Sequence, residues 1–244
     1  MKFGIVVFPG SNCDADCHHV ATELLGCQAD YIWHHERDLK GADAILLPGG
    51  FAYGDYLRAG ALARFSPVME SVAAFAKAGG PVLGICNGFQ VLLEAGLLPG
   101  AMQINRGLRY VCRDVWMRVE NPETAFTSLY AEDEIVKMPV GHMEGNYTAS
   151  PETLAELERG NRVVFRYCDP QGRVTDEANP NGAVANIAGI RNAEGNVVGL
   201  MPHPDRCAEK LLGNDMGLRM FQSVVSALAA DEFQVPSPKL SRRT

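Results

Sequence analysis

Three features that would point to common functions are missing from this chain of 244 residues. No apolar run reaches the roughly 18 residues of a membrane-spanning helix, so we expect no contact with a membrane. The formal net charge is −7, which disfavours binding to nucleic acid or to an anionic lipid surface. No G-x-G-x-x-G or Walker A pattern occurs, so we predict no nucleotide or other cofactor site in this chain.

A paired set of cysteines is also missing. The chain has seven cysteines, scattered along its length: Cys13, Cys17, Cys27, Cys86, Cys112, Cys168 and Cys207. An odd, scattered set is typical of reduced thiols, and the sequence enters a strand-like pattern directly after Met1, which leaves no room for a signal peptide. We therefore expect a cytoplasmic protein. The C-x₃-C-H-H spacing at residues 13–19 is not a zinc pattern, so we predict no metal ligands.

Strands and helices alternate along the first hundred residues. Apolar runs at 3–8, 29–33, 44–47 and 82–85 read as strands, and the segments between the first two and the last two carry helical patterns. Ser11 or Asn12 is predicted to cap the first helix, and Ser66 the helix that starts at Pro67. Short loops between alternating elements indicate a doubly wound parallel sheet with helices on both faces.

The second half of the chain has a different pattern. Residues 110–119, 135–140 and 163–167 alternate between apolar and polar side chains, which favours antiparallel or edge strands, and 197–201 is a final apolar strand. We predict one α/β domain of flavodoxin-like type over residues 1–230, mostly parallel with some antiparallel strands. A polar C-terminal tail is predicted over 231–244.

The most informative stretch is a strand, turn and helix around Cys86. Gly84 and Gly88 flank this cysteine at the spacing of a nucleophile elbow, with Cys in place of Ser. Such a turn places the sulfur at the carboxyl end of a strand and at a helix N-terminus, which favours the reactive thiolate. A buried cysteine at a strand end is the simpler alternative.

Two further segments are predicted to meet Cys86 at the same edge of the sheet. His203 and Asp205 follow the strand 197–201, so the imidazole can serve as base and the carboxylate as its orienter. Gly49 and Gly50 follow the strand 44–47, where the amide of Gly50 can hold an oxyanion together with that of Asn87. A polar loop and a plain tight turn are the alternatives.

The motifs together resemble a known family. Residues 83–90 (LGICNGFQ) resemble the nucleophile motif of class I glutamine amidotransferases. Four other motifs narrow the resemblance to the glutaminase subunits of phosphoribosylformylglycinamidine synthase: FPGSNCD at 8–14, PGGFAYGDYLR at 48–58, GLLPGA at 96–101 and MPHPDR at 201–206. The match runs from about residue 3 to about residue 229.

This resemblance implies a mechanism and partners. Cys86 would attack the side-chain amide of L-glutamine, His203 would move the proton, and Asp205 would complete the triad. Gly50 and Asn87 would form the oxyanion hole, and Gln90 would help to hold the substrate. The ammonia would pass to a synthetase subunit that uses ATP and Mg²⁺ to convert formylglycinamide ribonucleotide to the formamidine, in a complex that also contains a small accessory subunit.

Two positions depart from the family pattern. The family usually has Glu where this chain has Asp205, which is shorter by one methylene, about 1.5 Å of reach. Either the loop lies nearer, or a water bridges the gap, or the orienter is weak. Met143 replaces a smaller residue in the segment 141–146, which we expect near the site mouth or the synthetase interface, while His142 has either a role there or a purely structural one.

Two alternative functions remain open at this point. One is another cysteine hydrolase of flavodoxin-like fold, although such proteins usually carry a histidine beside the nucleophile, where this chain has Asn87. The other is a non-catalytic regulatory subunit, which would require a broken triad.

Overall fold

The computed structural model describes residues 1–230, and the predicted polar tail over 231–244 lies outside the described residues. The strands are β1 (Lys2–Val7), β2 (Gln28–Trp33), β3 (Ala44–Leu47), β4 (Val82–Ile85), β5 (Ala101–Gln103), β6 (Val111–Val119), β7 (Ile135–His142), β8 (Asn146–Thr148), β9 (Val163–Cys168), β10 (Ile187–Arg191) and β11 (Val197–Leu200). The α-helices are α1 (Asp14–His19), α2 (Pro67–Lys77), α3 (Asn87–Glu94), α4 (Pro151–Arg159) and α5 (Leu218–Ala229).

Nine of the strands form one sheet in the order β2-β1-β3-β4-β11-β10-β9-β6-β7. The first five are parallel to their neighbours, and the pairs from β11 to β7 are antiparallel. The predicted fold class is thereby confirmed: a doubly wound, flavodoxin-like sheet extended by antiparallel strands. Because β1, β3, β4 and β11 run in the same direction, the loops at their carboxyl ends meet at one edge of the sheet.

The parallel strands are apolar because both of their faces are covered. All four residues of β3, β4 and β11 are buried. Helix α3 packs on β3, β4 and β11, while α1 packs on β1 and β2. Phe89 of α3 is fully buried against Tyr147 of the small β5–β8 sheet. This burial, about 25 cal/mol per Å² of apolar surface, stabilises the strands that position the loops.

Several local predictions were wrong. The helix after β1 begins one or two residues later than expected, with Cys13 at its N-cap, and Ser11 instead accepts a hydrogen bond from the amide of Phe8. Helix α2 begins at Pro67 as predicted, but the hydroxyl of Ser66 contacts Tyr53 rather than capping the helix. In both cases a tertiary contact uses the side chain that a local cap would need. Within residues 1–230 we find no helix with the length and apolarity required to cross a membrane.

Candidate active site

Cys86 occupies the turn between β4 and α3. Its backbone angles are φ 51° and ψ −104°, a conformation that L residues rarely adopt. The turn is fixed at both ends, because the amide of Cys86 donates to Leu200 on β11 and its carbonyl accepts from Gln90 in α3. A rare backbone conformation that the surrounding hydrogen bonds maintain is typical of functional sites. This one places the sulfur at the positive end of a helix.

The glycine at position 88 permits this turn. A Cβ atom added to Gly88 would lie 1.9 Å from the carbonyl oxygen of Leu47, far inside van der Waals contact. Helix α3 therefore approaches the end of β3 at a distance that only glycine allows. The elbow spacing thus has a direct steric reason in this fold.

His203 reaches the same place from β11. Its amide donates to the carbonyl of Pro139 at 2.9 Å, which ties the residue to the edge strand β7. Its ring and the thiol of Cys86 line one cavity of about 30 Å³, and each residue is only 4% exposed. The other residues that line this cavity are Asn12, Cys13, Gly50, Phe51, Tyr110, Gly141 and Arg206.

Charges on its neighbours govern the protonation of His203. Burial alone would lower the pKa of the imidazole, but negative charge on Cys86 and Asp205 raises it well above its ordinary value. A cationic ring beside Cys86 provides the counter-charge that a thiolate needs. The site can therefore hold a thiolate and an imidazolium side by side.

Asp205 approaches the imidazole without forming a hydrogen bond. Its Oδ1 atom lies 3.4 Å from Nδ1 of His203, compared with about 2.7–2.9 Å for a good charge-assisted bond. Both carboxylate oxygens are buried and lack a hydrogen-bond partner among the described residues. The contact is therefore electrostatic, and the shorter reach of Asp is visible as a gap beside the ring.

Cys13 is a neighbour of His203 that was not predicted from the sequence. Its thiol lies 3.8 Å from Nδ1 of the imidazole, although the two residues are far apart in the sequence. The two histidines of the C-x₃-C-H-H segment do not join Cys13 here, because His18 stacks on Tyr31 and His19 pairs with Glu209. The only signal in the sequence was that Cys13 follows β1, whose carboxyl end lies at the edge where the other loops meet.

The predicted oxyanion residues lie at this edge as well. Gly50 lines the cavity next to Cys86, and its loop is held by Gly49, whose carbonyl accepts from the amide of Cys13 at 3.1 Å. Asn87 is the first residue of α3, so its amide has no acceptor within the helix. The structure thus brings these two predicted residues to the nucleophile, and their role as oxyanion donors stays a prediction.

Gln90 belongs to a buried polar network behind the nucleophile. Its Oε1 accepts from the side chain of Asn87 at 2.9 Å, and its Nε2 donates to the carbonyl of Glu144. The side chain of Asn87 also accepts from the amide of Ala52. This network connects α3 to the loop after β3 and to the segment after β7, and it limits the freedom of Gln90 to contact a substrate directly.

The loop after β3 is conformationally unusual. Tyr53, Asp55 and Leu57 all have positive φ angles between 53° and 69°, a region that non-glycine residues avoid. Tyr53 is held by a 2.7 Å hydrogen bond between its hydroxyl and Nδ1 of buried His34. The loop is therefore pinned at its start, while Leu57 at its end is exposed.

Asp55 in this loop has a perturbed pKa. Burial and the nearby charge of Glu144 raise its pKa from 3.8 to about 6, although a hydrogen bond from Asn87 acts in the opposite direction. The folded protein thus binds this proton more tightly than the unfolded chain does. The contribution of Asp55 to stability is fully present below about pH 4 and is lost as the pH rises through about 6.

We expect Asp55→Asn to stabilise the protein at pH 8 and to have less effect at pH 5. Asparagine removes the buried charge while keeping the oxygen that accepts from Asn87. With partial exposure screening the effect, about 1 kcal/mol is expected, which corresponds to a rise in Tm of about 2–4 °C for a chain of this length. Thermal unfolding at the two pH values checks this, and an equal Tm shift at both would contradict the titration of Asp55.

His142 is buried and hydrogen-bonded, as expected for a residue with a structural role. The ring is buried, Nδ1 lies 3.2 Å from Oδ1 of Asn105, and Nε2 lies 3.4 Å from the amide of Asn181. Burial is the main reason that its pKa falls to about 4, so the ring is neutral near pH 7. Met143 next to it is exposed, and Gly141 before it lines the cavity, so this segment lies at the site mouth.

Comparisons with known proteins show which family this chain is similar to. Residues 1–226 match the family model of the CobB/CobQ-like glutamine amidotransferase domain. The chain is 56% identical over 225 residues to the phosphoribosylformylglycinamidine synthase subunit PurQ of Moorella thermoacetica, covering 92% of this chain and 95% of the relative. It is 58% identical over 228 residues to the protein of that name from Chlorobium luteolum, covering 93% and 99%.

A solved structure shows the same similarity. One chain in the structure of PurLQS from Thermotoga maritima superposes with a TM-score of 0.82 and 38% sequence identity. The match covers 93% of this chain and 98% of that one. The likeness therefore extends over the parallel and the antiparallel strands alike.

Proposed function

Because the chain belongs to the family of CobB/CobQ-like glutamine amidotransferase domains, we infer that it is the glutaminase subunit of a phosphoribosylformylglycinamidine synthase in purine biosynthesis. The observation that carries this inference is the meeting of Cys86 and His203 in one cavity, with the thiol at a strained elbow. Family membership favours this function over another cysteine hydrolase. The presence of nucleophile and base together opposes a non-catalytic role.

The proposed reaction uses the residues in a simple sequence. The sulfur of Cys86 attacks the side-chain carbonyl of L-glutamine, and the amides of Gly50 and Asn87 stabilise the negative oxygen that forms. The C–N bond then breaks as the imidazolium of His203 gives its proton to the leaving ammonia. A γ-glutamyl thioester remains, and water, deprotonated by the same imidazole, releases glutamate and restores the thiol.

We expect Asp205→Asn to reduce activity much less than His203→Ala. Losing the base should lower kcat by about 10²–10⁴-fold, whereas Asp205 makes no hydrogen bond to the ring, and we expect a loss of about tenfold or less from its weaker electrostatic contact. Steady-state glutamate release by the assembled enzyme measures both. Asp205→Glu is the matched control, because it extends the carboxylate by one methylene and should retain activity. An equal loss for Asp205→Asn and His203→Ala would show that Asp205 does more than bias the imidazole electrostatically.

The site mouth has the properties of a partner-binding surface. Exposed apolar side chains lie in the loop after β3 and in the segments 104–110 and 141–146, and we call them the rim patch: Leu57, Ile104, Leu108, Tyr110 and Met143. Leu57 and Ile104 line one surface pocket, and Tyr110 lines the catalytic cavity. Clustered exposed apolar residues mark interaction sites. We propose that the synthetase subunit docks here, with ATP and Mg²⁺ bound in that subunit and a small accessory subunit completing the complex.

The isolated chain is expected to be a poor glutaminase. The catalytic cavity measures only about 30 Å³, so we expect glutamine to enter it only after the segments that line it move. Adding the synthetase and accessory subunits from the same organism should raise glutamate release by about 10- to 100-fold, a usual size for coupling between sites. Glutamate is measured before and after their addition. Full activity of the chain alone would contradict this prediction.

Two exposed leucines provide a matched pair of variants for the same experiment. Leu57 is 83% exposed in the rim patch, and Leu211 is 89% exposed in a separate loop. Leu57→Asp should weaken the stimulation by the partner because it places a charge in the apolar surface, while Leu211→Asp should leave it unchanged. Equal effects of the two variants would argue against docking at the rim patch.

A further inference from the structure

The Nδ1 atom of His203 faces the side chains of Cys13 and Asp205, and the proposed reaction has no step that uses either of them directly. Cys13 presents its sulfur and Asp205 its carboxylate, and one ligand atom from each of the three residues lies within 4.8 Å of the others. We propose that Cys13, His203 and Asp205 form a binding site for a soft divalent cation such as Zn²⁺, and that binding there inhibits the enzyme.

The separations suit tetrahedral zinc. With Zn–S near 2.3 Å and Zn–N or Zn–O near 2.0–2.1 Å, tetrahedral angles place sulfur and nitrogen about 3.6 Å apart, and nitrogen and oxygen about 3.3 Å apart. The observed distances are 3.8 Å from Sγ of Cys13 to Nδ1 and 3.4 Å from Nδ1 to Oδ1 of Asp205. These two pairs therefore need to change by only a few tenths of an ångström, while the sulfur and the carboxylate oxygen, which lie within 4.8 Å, would have to close to about 3.6 Å.

The carboxylate of Asp205 is an independent indication of a missing partner. The residue is 3% exposed, and neither of its oxygens accepts a hydrogen bond within residues 1–230. A buried carboxylate without a hydrogen bond is costly even with the ring of His203 at 3.4 Å, and a bound cation relieves that cost. Arg206 is a further positive group nearby, but its guanidinium faces Asp16 at 3.3 Å. A thiolate and a carboxylate also supply the two negative charges that a divalent cation requires.

The backbone holds the ligands together. Gly49 packs against two of the three ligands, because a Cβ atom there would lie 2.5 Å from Cε1 of His203 and 3.0 Å from Sγ of Cys13. The catalytic cavity adjoins the site and has room for about one water, which can serve as the fourth ligand. Cys86 is not among the three residues whose ligand atoms converge.

Inhibition follows from the chemistry of imidazole. On binding, the thiol of Cys13 and the Nδ1–H group of the His203 imidazolium each release a proton to solvent as the metal–sulfur and metal–nitrogen bonds form. A neutral imidazole that coordinates a metal through Nδ1 carries its remaining proton on Nε2. That nitrogen can then no longer accept the proton of Cys86. This consequence rests on the function proposed above, whereas metal binding by the three residues does not.

Cobalt provides a direct test that needs no activity measurement. Co²⁺ added to the full-length chain should give a thiolate-to-metal charge-transfer band, and Zn²⁺ should displace it. Cys86→Ser should retain the band, and so should Cys112→Ser, which alters an exposed cysteine as a control. Cys13→Ser should lose it. Asp205→Asn, which keeps every thiol, should bind at least about 10- to 100-fold more weakly, as disturbed metal sites do.

The opposite pattern would overturn the proposal. A band that disappears in Cys86→Ser but persists in Cys13→Ser would place the metal on the nucleophile, and the absence of a band in the unaltered protein would exclude the site. If Cys13→Ser does not fold, as judged by circular dichroism, Asp205→Asn decides: unchanged affinity overturns the proposal. Binding of Zn²⁺ without loss of glutamate release by the assembled enzyme would contradict the blocked Nε2.

Discussion

Replacing Cys86 by serine is expected to abolish synthesis that depends on glutamine and to leave synthesis from free ammonia intact. The hydroxyl of serine is a far weaker nucleophile than the sulfur of cysteine. Loss of a nucleophile that acts together with its base costs on the order of 10⁴- to 10⁶-fold in kcat. Ammonia supplied from solution bypasses this chain, so the synthetase should work at nearly its normal rate.

The measurement compares the two nitrogen sources in the reconstituted complex. Formation of the formamidine product is followed with glutamine and then with an ammonium salt, after gel filtration has shown that the variant subunit assembles. Cys112→Ser, at an exposed cysteine, is the matched control and should behave like the unaltered protein. A parallel fall with both nitrogen sources would mean that Cys86 supports the partner rather than glutamine hydrolysis.

Gly88→Ala should have the largest effect on stability. The added methyl group would lie 1.9 Å from the carbonyl oxygen of Leu47, a backbone atom at the end of the buried strand β3. Helix α3 would have to move away from β3. We expect a loss on the order of 3 kcal/mol or more, because overpacking that cannot be relieved by side chains is at the upper end of its range.

The fall in Tm should be about 6–12 °C for this chain length, and glutaminase activity should fall with it because the elbow is displaced. Gly107→Ala is the control: a Cβ atom there meets nothing within 4 Å and the backbone angle is ordinary. It should change stability by about 0.5 kcal/mol or less. Thermal unfolding of both variants checks the contrast, and an equal Tm for the two would refute the close approach at Gly88.

Local patterns in the sequence were sufficient to predict the parallel strands and the residues that directly follow them. The apolar runs of β1, β3, β4 and β11 defined the parallel half of the sheet, and the carboxyl-end rule then placed Cys86, His203 and Gly50 at one edge. The elbow was predictable because the close contact at Gly88 requires glycine, and glycine is visible in a sequence. These predictions concern residues whose positions follow from their own strand.

Contacts between distant segments could not be predicted in the same way. The position of Cys13 beside His203 depends on how the loop after β1 packs on Gly49, which no periodicity reports. The short β5–β8 sheet and strand β10 were missed because three to five residues give too little alternation to recognise. Ser66 was assigned to a cap, while its hydroxyl is used by Tyr53 from another loop.

The positive φ angles of Tyr53, Asp55 and Leu57 have an energetic consequence for assembly. Each such residue costs about 1–2 kcal/mol relative to ordinary backbone, so a rearrangement that lets the segment relax would release several kcal/mol in total. If contact with the synthetase at Leu57 triggers that relaxation, the same free energy would favour complex formation and widen the entrance for glutamine. Hydrolysis would then be suppressed whenever no acceptor for ammonia is attached, and wasteful loss of glutamine would be avoided by backbone geometry alone.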